Sequence, residues 1–156
     1  MKKFKINEIV FCGRCDDEVE CEIVKKKRNF TVKDTTFECE EYVPICKNCG
    51  EEVWLWEVEN ANSKIVYNKY KQIIGLLTSE EIKEIRKKRH LSQRQLANLL
   101  CIGEKDITRY ENGGVQTKAI DQMIRVVADD EMYKKLCKLH KDTIKDKPHL
   151  KLQTNS

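Results

Sequence analysis

The 156 residues carry 30 Lys and Arg against 26 Asp and Glu, a net charge of +4, and leave room for one domain or two small ones. No apolar run is long enough to cross a bilayer, and no signal-peptide core follows Met1-Lys-Lys-Phe-Lys5. This sets aside the membrane and secreted classes and predicts a cytoplasmic protein with no membrane partner. In a reducing compartment, eight cysteines point to metal ligands or buried thiols ahead of disulfides.

The charge is unevenly spread. Residues 1–67 hold 11 basic and 14 acidic side chains, whereas residues 131–156 hold seven and three. The basic excess lies towards the C-terminus, where it favours a polyanionic partner.

Cys12-Gly-Arg-Cys15 and Cys46-Lys-Asn-Cys49-Gly50 are two CxxC pairs with 30 residues between them. Each can form a knuckle whose backbone N–H groups point at the sulfurs. Gly50 supplies the positive-φ residue that such a turn favours, and Asp16 holds the matching place in the first knuckle. Four thiolates at this spacing predict one structural Zn²⁺ per chain, tetrahedral and closed, on Cys12, Cys15, Cys46 and Cys49. Iron remains an alternative, as does Cys21 or Cys39 replacing a ligand.

Between the knuckles the pattern alternates with period two. It predicts strands over Val19–Val24 and Phe30–Val32, a turn near Lys33-Asp34, and a strand carrying Phe37, Cys39, Glu41, Val43 and Ile45 on one face. The resulting hairpin would bring the knuckles together. With 25 of the first 67 residues charged, little core can form there, so metal binding should supply much of the folding free energy. Val53-Trp-Leu-Trp56 reads as a last strand whose two Trp residues pack over the site. Asn60-Ala-Asn-Ser63 reads as a polar break.

Beyond the break the helical period takes over. Tyr67, Tyr70, Ile73 and Ile74 are helically spaced up to Gly75, and Thr78-Ser-Glu-Glu81 caps a helix that closes on Arg86-Lys-Lys-Arg89. His90 falls in the following loop. Ser92, three residues before Gln95, caps the next helix, in which Leu96, Ala97, Leu99 and Leu100 face inward. Cys101-Ile-Gly103 is short enough for a turn between crossing helices. In the helix after it, Ile107 and Tyr110 look inward and Lys105, Thr108, Arg109 and Asn112 outward, until Gly113-Gly114 stops it. Thr117 caps a helix with Ile120, Met123, Ile124 and Val127 at i, i+3, i+4 and i+7, and Met132, Leu136, Cys137 and Leu139 extend the apolar set. The polar, Pro-containing segment 141–156 reads as a disordered basic tail.

The stretch from Ser92 to Gly113 resembles the Xre-type helix-turn-helix of phage repressors and bacterial antitoxins, most specifically in Ile107-Thr-Arg-Tyr-Glu-Asn-Gly113. Cys101 stands where that family usually has Gly, so a positive φ there would carry a cost. Knuckle pair, hairpin and helix-turn-helix in this order resemble the MqsA-type antitoxins over residues 10 to about 128. The resemblance implies a zinc domain that holds a toxin, usually an mRNA-cleaving nuclease, and a C-terminal domain that dimerises and represses the operon. It carries the zinc ligands onto Cys12, Cys15, Cys46 and Cys49 and a base-reading role onto Arg109. Lys105 stands where the founding member has a base-reading Asn.

The expectation is therefore an α+β protein, with a small N-terminal β-rich four-cysteine zinc-binding domain (1–67), a connector (68–77) and an all-α Xre-type helix-turn-helix domain (78–140). Lys105, Thr108 and Arg109 would read base edges, while Gln93 and Arg94 hold phosphates. Partners would be operator DNA, a cognate toxin and a second copy of the chain. No Ser/His/Asp or Cys/His arrangement emerges and a site of four cysteines leaves a metal no vacancy, so an enzyme is not expected. The alternative is a phage or mobile-element regulator whose zinc domain binds a protein other than a toxin.

Overall fold

The structure, a computed structural model, describes residues 8–140. The tail predicted over 141–156 lies outside them. The described residues divide into two compact units, one ending at residue 74 and the other beginning at residue 75.

The first unit is a three-stranded antiparallel sheet in the order β1 (Glu8–Cys12), β2 (Asp17–Val32), β3 (Thr35–Cys46), followed by helix α1 (Trp56–Ile73). Lys33 and Asp34 turn the long hairpin, with Lys33 at φ 52° and Val32 opposite Thr35. Alternation gives the sheet two differently covered faces. Val10, Val19, Cys21 and Cys46 point to one side, where Val53 and Leu55 pack on them. On the other side Cys39 and Val43 are buried, at the end of the sheet where α1 lies against β3.

Two expectations about residues 53–56 are corrected. Residues 53–56 do not form a strand: a single bridge, Ile45 with Glu52, precedes the helix that begins at Trp56. Glu57 and Glu59 in its first turn favour that start electrostatically. Nor do the tryptophans pack over the metal cluster, since Trp54 and Trp56 are 66% and 61% exposed, with ring centroids 6.3 Å apart.

The polar break is also interior helix. Val58, Asn62, Val66 and Tyr70 recur every four residues on the buried stripe of α1. Asn62 is tolerated there because its amide satisfies an open strand edge: Nδ2 donates to the Tyr42 carbonyl at 2.7 Å, and Oδ1 accepts from the Tyr42 N–H at 2.8 Å. Helix α1 therefore carries the first unit past residue 67, through most of the segment read as connector, to the positive-φ Gly75.

The second unit is five short helices: α2 (Ser79–Lys88), α3 (Gln93–Leu99), α4 (Glu104–Glu111), α5 (Lys118–Ala128) and α6 (Asp130–Leu139). Capping boxes at Thr78 with Glu81 and at Ser92 with Gln95 start α2 and α3, and Thr117 and Asp129 cap α5 and α6. Ile82, Leu96, Leu99, Ile107, Ile124 and Val127 form its fully buried centre. Asp121, buried on α5, locks the entry to this unit. It accepts from the Leu77 N–H at 2.8 Å, from Gln116 at 2.9 Å and from Arg125 at 2.8 Å.

Candidate metal centre and polar helix face

The β2–β3 hairpin returns Cys46 beside Cys21, and β1 ends at Cys12 opposite Asp17, so both knuckles emerge at one end of the sheet. The four sulfurs of Cys12, Cys15, Cys46 and Cys49 lie within 4.8 Å of one another. Across the pairs, Cys12 Sγ is 3.5 Å from Cys49 Sγ, and Cys15 Sγ is 3.8 Å from Cys46 Sγ. A tetrahedron of thiolates at about 2.3 Å from a central Zn²⁺ has edges of about 3.8 Å, so the donor set fits such an ion. Sulfurs in a disulfide lie at about 2.0 Å, so these are free thiols. Cys21 and Cys39, buried in the strands, stay outside the set of four.

Local geometry builds each knuckle. The Asp16 N–H donates to the Cys12 carbonyl and the Gly50 N–H to the Cys46 carbonyl, each at 2.9 Å, and Asp16 and Gly50 take φ of 54° and 76°. Burial opposes ionisation of Cys46, but the backbone N–H groups of Cys49 and Asn48 outweigh it and hold this thiol down to about 7. Cys15 is pushed up to about 12 by its hydrogen bond with Cys49 and by desolvation. Cys15 and Cys49 thus resist ionisation beside their neighbours, and a bound cation is what makes four adjacent thiolates compatible. Arg14, bridged to Glu51 at 2.5 Å, adds positive charge at the rim.

In the second unit, α3 and α4 are joined by residues 100–103. Cys101 adopts φ 55°, and the Ile102 N–H returns to the Ala97 carbonyl at 3.0 Å. The residues expected to face DNA divide into two groups. Arg94, Lys105 and Arg109 are exposed, with Arg109 resting against Tyr110 and donating to Asp106 at 3.0 Å. Gln93 and Thr108, half-buried, meet each other, the Thr108 hydroxyl donating to Gln93 Oε1 at 3.0 Å.

Sequence reasoning missed what stands behind that pair. Gln93 Nε2 donates to Glu111 at 2.9 Å, and Glu111, only 4% exposed, accepts a two-pronged contact from Arg86 at 2.5 and 2.9 Å. Desolvation works against the Glu111 carboxylate, yet Arg86 and Gln93 hold it below the ordinary carboxylate range. These partners lie 18 and 25 residues apart, and no local pattern marks them. Gly114 closes the helix: its N–H donates to the Arg109 carbonyl, and a Cβ at this position would stand 2.5 Å from Arg109 Cγ.

A β unit that brings four thiols into a set able to hold one metal ion, followed by a unit of short helices, defines a two-module protein. The family model described as the antitoxin component of the bacterial toxin-antitoxin system, MqsA, matches residues 10–131, and the chain belongs to that family. No individual curated protein matches the chain. Among the described residues no helix is long and apolar enough to cross a membrane.

Proposed function

We propose that this chain is a zinc-stapled antitoxin that neutralises a cognate toxin through its first unit and represses its own operon through its second. Helices α3 and α4 act as a helix-turn-helix, with α4 entering the major groove. Lys105 and Arg109, four residues apart, share its outward face, and Arg suits the paired acceptors of guanine. Arg94 at the start of α3 holds a phosphate. Gln93, beside Arg94, would hold a phosphate and Thr108 would meet a base edge, and the hydrogen bond between them braces α4 against α3.

The single observation that carries this reading is the exposed polar face of α4, where Lys105 and Arg109 stand beside Glu104 and Asp106, fixed from behind by the Arg86–Glu111–Gln93 chain. A preorganised polar helix loses little entropy on docking. Second copies of the chain would supply the two-fold symmetry of a palindromic operator, through α5 and α6, where Met123, Met132 and Leu139 are exposed. Membership of the antitoxin family supports a toxin partner over a non-toxin one.

The test is a titration of the purified chain onto a DNA fragment spanning its own promoter, over a series of salt concentrations. Saturable binding that weakens linearly on a log–log salt plot is expected. Binding no tighter than to unrelated DNA would overturn the repressor assignment.

A further inference from the structure

The covered part of the sheet ends where α1 ends its contact with β3, and the rest of that face stays open among the described residues. Strand alternation and the registers Ile9–Glu20, Phe11–Glu18 and Glu22–Ile45 place these side chains together on it. The Ile45–Glu52 bridge adds Glu52 and, two residues on, Trp54 to the same side. Glu52 confirms the side by reaching Arg28 and Lys26 of β2. Three inter-strand spacings make this platform about 15 Å wide, and the six-residue offset along β2 from Glu18 to Val24 sets Phe11 and Trp54 about 20 Å apart along the strands, with Trp54 at the end next to α1.

Its composition is unlike a solvated sheet face. Ile9, Phe11 and Trp54 are 67%, 61% and 66% exposed. Beside the two β1 residues runs the row Glu18, Glu20, Glu22, with Lys47 2.8 Å from Glu20, while Lys26 and Arg28 lie towards Trp54 and are held by Glu52. Large apolar groups grouped at a surface mark an interaction site, and aromatic ones supply most of the energy of protein interfaces. The carboxylate row repels phosphate, so nucleic acid does not fit here.

We infer that this open sheet face is the surface that grips the toxin, and that the matching toxin surface is cationic, with Lys or Arg side chains set around an apolar patch. The inference rests on the proposed antitoxin role and names the surface that performs it. Phe11 and Trp54 anchor the partner, and the glutamates draw it in and fix its orientation.

The experiment uses the full zinc-loaded chain and the small protein encoded by the adjacent reading frame. Affinity is measured by calorimetry at low and high salt for the native chain, Phe11→Ser, the double variant Glu18→Lys/Glu22→Lys, and Asn29→Ala on the opposite face as control. Metal content and the thermal transition establish that each variant is folded. Phe11→Ser is expected to weaken binding on the order of tenfold or more at both salts. The charge reversal should weaken it by a similar factor at low salt and much less at high salt, and Asn29→Ala should leave it unchanged. If the native chain binds the toxin and both folded variants bind within about twofold of it, this face is not the docking surface, while the antitoxin role stands. If the native chain does not bind that protein, the antitoxin role fails and this inference falls with it.

Discussion

Arg86 and Glu111 join α2 to the end of α4 through two hydrogen bonds, and Glu111 is almost completely buried. Removing one partner strands a charge, so Glu111→Ala should lower stability by about 3–5 kcal/mol in a denaturant titration. The pH dependence has a definite sign. Because Glu111 is held below its ordinary value in the folded chain, its contribution is complete above the ordinary carboxylate range and is lost as pH falls through the depressed value. Acid titrations of the native chain and Glu111→Gln should therefore differ in slope below the usual carboxylate range and run parallel near neutrality.

Metal removal separates the two units. A strong chelator should unfold the β unit, whose core is small, and leave the helical unit with its cooperative transition. Mass spectrometry under native conditions should find one zinc ion per chain, lost on Cys12→Ser or Cys46→Ser and kept on Cys21→Ala or Cys39→Ala. Loss of the ion in either of the last two would redraw the ligand set.

Asn62 tests how α1 is held. Asn62→Ala leaves the Tyr42 N–H and C=O without their partners, which should cost about 1–3 kcal/mol. Asn62→Asp keeps the acceptor, loses the donor and adds a buried charge, so it should be at least as damaging. A thermal melt of the zinc-loaded chain reads both.

Much of this architecture was legible because it is local. A capping box spans three residues, as at Thr78 and Ser92, and a knuckle spans four with its positive-φ residue next in line, as at Asp16 and Gly50. Even the strained Cys101 could be foreseen from the turn it occupies. What escaped depends on residues distant in sequence. Asn62 looks like a helix breaker until Tyr42, 20 residues earlier, supplies its two bonds. Trp54 and Trp56 look like core until the chain leaves β3 after one bridge and turns them outward. Gln93 carries the composition of a phosphate contact, and only the fold reveals Glu111 and Thr108 on either side of its amide.

Gly114→Ala should disturb DNA binding without replacing any residue proposed to contact DNA. The added Cβ would collide with Arg109 Cγ, and also stand 2.9 Å from the Arg109 carbonyl oxygen. The end of α4 must shift to relieve this, at a stability cost of about 1–3 kcal/mol. Promoter affinity should fall while the first unit keeps its metal.

The most direct measurement is fluorescence anisotropy of the zinc-loaded chain and its Arg109→Ala variant on the promoter fragment and on random-sequence DNA at equal salt. If α4 reads base edges through Arg109, the variant loses about 1–3 kcal/mol on the promoter and little on random DNA. Equal losses on both, or none on either, would contradict it.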